Sequence, residues 1–160
     1  MKKQKKIISI LLMVMLMLMQ VLPVSASENN TDEWYELVEE EFEMSESMGQ
    51  EITPYTLYIM DVVTSLVKIS SGKVGLRADV LCSATMKTIT VTFYLQKYTG
   101  SSWKNVASAV TSSSNVSHAI KQMTASGLAS GTYRAKAVAL VKDSSGYAET
   151  LTGYSGSLTI

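Results

Sequence analysis

The stretch YLQKYTGSSWKNV (residues 94–106) sets Tyr94, Tyr98 and Trp103 around a Thr-Gly-Ser-Ser turn. Aromatic rings on a strand surface stack on sugar rings or anchor a protein partner, because each combines a large apolar face with a polar edge. Cross-strand aromatic pairs also stabilise a hairpin without binding anything. The direction of the rings decides between these uses. If Phe93 and Leu95 face a core, Tyr94 faces out. A four-residue turn at 99–102 pairs Leu95 with Val106 and Tyr98 with Trp103, and puts all three rings on the outer face. An odd-length turn directs the indole inward. Both arrangements are open at this point, and Tyr94, Tyr98 and Trp103 form the candidate contact surface.

Residues suited to catalysis are sparse. Nucleophilic chemistry needs a nucleophile, a base and a group that orients the base. His118 is the only histidine and Cys82 the only cysteine. His118 alternates with Val116 and Ile120, which places it on the inner face or rim of a strand as a structural histidine. Cys82 alternates with Val74, Leu76, Ala78 and Val80, as a buried, inert thiol does. A single cysteine forms no internal disulfide. Glycoside hydrolysis needs two carboxylates across a cleft. Beyond residue 51 the chain has only Asp61, Asp79, Asp143 and Glu149. Asp143 opens a turn, and Asp79 and Glu149 alternate outward. One histidine and one cysteine do not make a zinc site. No calcium loop and no Gly-rich phosphate loop is present. The expectation is a non-catalytic protein without a cofactor or bound metal.

Charge is distributed unevenly. Residues 27–51 hold ten acidic side chains and no basic one, whereas residues 52–160 hold ten Lys/Arg against four Asp/Glu, a net of +6. A basic body attracts acidic partners. Three are expected: the chain's own acidic arm, an anionic wall polymer or glycan, or an extracellular protein. Nucleic acid does not fit an exported chain with an acidic arm.

These side chains must be positioned by a simple set of elements. In the arm, Asn30 and Glu33 form a helix-start pattern. Trp34, Leu37, Val38 and Phe42 then recur at helical spacing, which predicts a short amphipathic helix over residues 32–44. Residues 45–50 (SESMGQ) read as a linker. Beyond Pro54 the period becomes two. Serine- and glycine-rich turns separate about seven predicted strands, near 56–69, 73–83, 87–97, 103–111, 116–124, 131–142 and 146–159. Short strands at regular spacing predict an all-β, antiparallel β-sandwich.

Two segments carry a resemblance. TVTFYLQKYTGSSWKNV (90–106) resembles the C–C′ hairpin of fibronectin type III and related bacterial immunoglobulin-like modules. LASGTYRAKAVAL (128–140) resembles their E–F corner. The resemblance implies an immunoglobulin/fibronectin-III-like sandwich in which Tyr133 is the corner tyrosine, its hydroxyl bonded to backbone upstream. The chain also resembles small secreted single-domain proteins of Gram-positive, clostridial-type bacteria, whose function is unassigned.

The first residues predict the destination. MKKQKK is basic, residues 7–22 are apolar apart from Ser9 and Gln20, and Val24-Ser25-Ala26 offers small residues for cleavage. This is the pattern of a secretory signal peptide over residues 1–26. The apolar run is shorter than the roughly 20 residues of a spanning helix, so no stable membrane anchor is expected after cleavage. The domains expected are the signal peptide, an acidic arm (27–51) and a β-sandwich (52–160). Together these point to a secreted binding or adhesion-type module, extracellular or loosely wall-associated. The alternative is a secreted effector or bacteriocin-like protein whose arm is a pro-segment.

Overall fold

The computed structural model describes residues 33–44 and 56–160, all within the compact unit Asp32–Ile160. The expected signal peptide and the 45–50 linker lie outside the described residues. The described chain is all-β and antiparallel, with seven strands in one open sheet: β1 (Val38–Glu39), β2 (Ile59–Ser70), β3 (Lys73–Tyr98), β4 (Trp103–Ala125), β5 (Thr132–Lys142), β6 (Ala148–Tyr154) and β7 (Leu158–Thr159). The hydrogen-bonded order is β1-β4-β3-β5-β6, with β2 on β3 and β7 on β5.

Two pairs of predicted strands are in fact single long strands. The expected breaks at 84–86 and at Ser112-Ser113-Ser114-Asn115 do not end the ladder. Ser112, Ser113 and Ser114 stay paired with Thr90, Ile89 and Thr88. Serine tolerates extended backbone, and only Asn115 takes a left-handed conformation (φ 57°), which asparagine adopts more readily than most residues. On β3 the register jumps between Leu81 and Met86, so extra residues bulge out opposite this bend. At that bulge β3 exchanges one neighbour for another: residues 73–82 pair with β2, and residues 88–97 pair with β5.

The bend folds the sheet over. Val106 O accepts from Tyr35 N–H, while Thr124 is in register with Val38. Tyr35 and Val38 are at most about 11 Å apart along an extended chain. A straight strand would separate Val106 from Thr124 by about 60 Å. β4 therefore doubles back, and β2 packs across onto β5 and β6 without pairing to them. The expected arrangement of two hydrogen-bonded sheets is replaced by one continuous sheet whose halves face each other.

Alternation builds the core between these halves. Val74, Leu76, Ala78 and Val80 line one side, and Ile89, Val91, Phe93 and Leu95 the other, all fully buried. β5 contributes Tyr133 and then Ala135, Ala137 and Ala139. These small side chains let β2 come close. At Gly153 of β6 an added Cβ would stand 2.5 Å from Thr64 Oγ1 and 2.6 Å from Val62 O.

The arm is not a helix. Residues 33–44 hold no helix, and Val38–Glu39 adds a short strand to the edge of β4. The helical stripe is accordingly split. Leu37 is buried in the core, whereas Trp34 and Val38 are 60% and 52% exposed. A helix of this length gains little by itself, while an extended arm satisfies unpaired main-chain groups on the β4 edge. The expected association of arm and body does occur, through both charge and apolar packing. Lys97 pairs with Glu33 (2.6 Å), Lys73 with Glu40 (2.8 Å) and Lys121 with Glu39 (3.9 Å).

Candidate contact surface

The hairpin of β3 and β4 closes through the four residues Thr99–Ser102. Thr99 N–H donates to Ser102 O (2.9 Å), and Gly100 supplies the positive φ (93°) that the loop requires. Tyr98 pairs with Trp103, as a four-residue turn demands. Leu95, however, pairs with Ala107 instead of Val106, because a bulge lies between Leu95 and Gln96. The bulge turns Val106 into the core and keeps Trp103 and Asn105 level with Gln96 on the outer side.

Neighbouring strands complete an outer face that extends beyond the three predicted aromatics. Arg134 stands next to Tyr133, so alternation on β5 sends it to the opposite face. Its guanidinium lies 4.4 Å from the Trp103 ring centre and 4.7 Å from that of Tyr154 on β6. Its Nε donates to Gln96 Oε1 (2.7 Å), and Gln96 Nε2 donates to Asn105 Oδ1 (2.8 Å). Tyr98 leans on Trp103 with ring centres 5.2 Å apart, and its hydroxyl donates to Gly100 O (2.8 Å). Lys136 Nζ is 5.2 Å from the Tyr94 ring centre. A planar cation between two rings is held by both ring quadrupoles, worth about 0.5–2 kcal/mol per contact depending on desolvation. Sequence reasoning turned Gln96 outward and counted Arg134 and Lys136 among the basic residues of the body, but it did not set them beside the aromatics, and it missed Asn105 and Tyr154. The alternation of Arg134 and Lys136 with Tyr133 and Ala135 is the signal that places the two cations.

The body's carboxylates are engaged elsewhere. Asp79 pairs with His118 Nε2 (2.5 Å) and Arg77 (3.4 Å). Asp143 accepts from Ser145 and Tyr147 in its own loop and from the Tyr58 hydroxyl (3.2 Å). Glu149 accepts from three successive main-chain N–H groups, Leu57 (2.9 Å), Tyr58 (3.2 Å) and Ile59 (2.7 Å). Burial raises the pKa of Glu149, but these N–H groups outweigh it and hold the carboxyl below its ordinary range. Glu149 thus fastens the start of β2, a role its outward alternation does not reveal.

Three further predicted residues have defined surroundings. Tyr133 is fully buried and its hydroxyl donates to Ala129 O four residues upstream (2.8 Å). Cys82 is buried, and burial, followed by the nearby Glu149 charge, pushes its thiol up to about 11. At neutral pH it is a thiol and a poor nucleophile. His118 does not face inward. Ala119 is the buried residue there, and the His118 side chain is exposed beside Asp79. On β4 the odd-numbered Ala107, Ala119, Met123 and Ala125 are buried on both sides of the bend, and Ile120, whose apolar type suggested an inner position, is 47% exposed on the same side as His118.

No protein-family model matches the chain, and no curated protein or solved structure matches it.

Proposed function

We propose that this chain is a secreted, non-catalytic contact module that binds an anionic cell-wall glycan or polymer through its aromatic–cationic face. The stack of Arg134 between Trp103 and Tyr154 carries the reading. It holds a guanidinium 4.4 Å and 4.7 Å from two ring centres, so little side-chain entropy remains to be lost on binding. Rings supply stacking for sugar faces, and Arg134 and Lys136 supply charge for acidic groups. Ring capping by a cation also stabilises a sheet by itself, so the surface must be tested by binding. Purified full chain is incubated with cell-wall fractions and acidic and neutral glycans. Retention of the chain on acidic material, lost in Trp103→Ala and Arg134→Ala variants that still melt cooperatively, is expected. Equal retention of the variants rejects the reading.

We read the fold as immunoglobulin/fibronectin-III-like. The opposed halves of the folded sheet, the arm reaching from one half to the other, and the Tyr133–Ala129 corner bond favour it. Export rests on the signal-peptide pattern of residues 1–26, and mass spectrometry of culture supernatant tests cleavage after Ala26. The same spectrum tests a second reading, a secreted effector with the arm as pro-segment. The pairing of Lys73, Lys97 and Lys121 with arm glutamates favours that reading. A form lacking residues 27–51 supports it, and an intact arm rejects it.

A further inference from the structure

The arm is held in the manner of a bound peptide. Its main chain makes one bond to the first half of β4, Tyr35 N–H to Val106 O (2.7 Å), and a two-residue register with the second half, Val38↔Thr124 and Glu39↔Met123. Leu37 fills a socket in the core and is 9% exposed. Phe42 lies with its ring on Gly75, where any Cβ would come within 2.5 Å of the ring. Three lysines from two strands, Lys73 and Lys97 of β3 and Lys121 of β4, take up Glu40, Glu33 and Glu39. Main-chain pairing gives attachment, alternate side-chain seats give selectivity, and a basic border selects acidic sequence. Beside buried Leu37, the arm is held by the half-buried Tyr35 and Phe42, three partly exposed ion pairs and a few hydrogen bonds from Gln122, Thr124 and Ala129, all opposed by the entropy of ordering residues 33–44. The arm is therefore poised to lift.

We propose that the β4 edge beneath the arm is a binding groove for an extended acidic peptide segment of another protein, with the arm as its displaceable resident. When the arm lifts, Lys73, Lys97 and Lys121 lose these carboxylates, the Leu37 socket opens, and the ring seat on Gly75 is bared. The best replacement has a Leu-like side chain, two carboxylates two and three residues further on, and an aromatic ring after those. This groove does not depend on the Trp103–Arg134 face, so failure of either proposal leaves the other standing.

The test uses the full chain and a fluorescein-labelled peptide with the sequence of residues 33–44, EWYELVEEEFEM. Fluorescence anisotropy is compared for the wild-type chain and for Leu37→Asp, whose own arm no longer seats. Loss of the tethered competitor is expected to tighten peptide binding by about tenfold or more. A peptide carrying Leu37→Asp, or a chain carrying Lys73→Glu and Lys121→Glu, is expected to lose the signal. A chain with Glu39→Lys and Glu40→Lys is a second arm-releasing variant and should behave like Leu37→Asp. Equal affinity of the wild-type and released chains, or no binding to a released chain that melts cooperatively, overturns the proposal. Failure of both released chains to fold also overturns it, because the groove then cannot stand open. A concentration-dependent dimer of wild-type chain in sedimentation, abolished by Leu37→Asp, would assign the groove to a second copy instead.

Discussion

Tyr133 and Glu149 show how single polar atoms fix the ends of strands. The Tyr133 ring fills the core while its hydroxyl reaches Ala129 O, so removing the oxygen and removing the ring are different perturbations. Tyr133→Phe is expected to cost about 1 kcal/mol for the lost hydrogen bond. Tyr133→Ala should cost about 3–5 kcal/mol because it leaves a cavity. Urea denaturation of the two variants measures both. Glu149→Gln retains shape but replaces a carboxylate that receives three N–H groups, and should cost about 1–3 kcal/mol. Its pH dependence follows from the lowered folded pKa. Between that value and the ordinary value of 4.5, the unfolded chain binds the proton and the folded chain does not. Stability from Glu149 is therefore fully present above the ordinary value and falls as pH drops through the lowered one. In Glu149→Gln the urea midpoint should change less with pH across that window.

At the scale of elements, the long β3–β4 hairpin determines how the molecule is built. A bend at Asn115, opposite the 82–85 bulge, lets one sheet enclose a core, and small residues on β5 and β6 set how closely its halves meet. Gly153→Ala pushes a methyl into Thr64 and the Val62 carbonyl, which is backbone and moves only with β2. It is expected to destabilise by about 1–3 kcal/mol. A thermal melt unchanged from wild type would show that β2 does not press on β6 at this position.

At the scale of the whole molecule, an acidic arm and a basic body meet on one chain. Exposed ion pairs contribute about 0–1 kcal/mol each, and burying Leu37 about 1.5–3 kcal/mol. The conformational entropy of the free arm opposes both. Docking should therefore respond to salt. The Tyr35 amide, bonded to Val106 O, reports it directly. Its hydrogen exchange is expected to quicken at about 1 M salt, where charges are screened beyond about 3 Å. Amides in the centre of β3 should be unaffected. Trp34 emission is a poor reporter of docking, because its side chain is largely exposed even with the arm in place.

The period-two alternation by itself determined that the body is all-β, and it located the strand ends at 70–73, 98–103 and 125–132 where Gly, Ser and Thr collect. It offered the Tyr98–Trp103 pair as one of two hairpin registers, and the four-residue loop of the structure selected it. Tertiary structure decided the rest. Alternation reports which face of a strand is apolar but not which strand lies opposite, so the single folded sheet, the Gly153 contact and the inward Ala119 beside an outward His118 were not legible. The Trp103–Arg134–Tyr154 stack joins residues far apart in sequence, and only strand order brings them together. The arm marks the sharpest division. Trp34, Leu37, Val38 and Phe42 fit a helical period, and a short isolated segment has little else to obey. Once the edge of β4 offered unpaired main-chain groups, a socket for Leu37 and lysines for its glutamates, extended pairing outweighed a weak local preference.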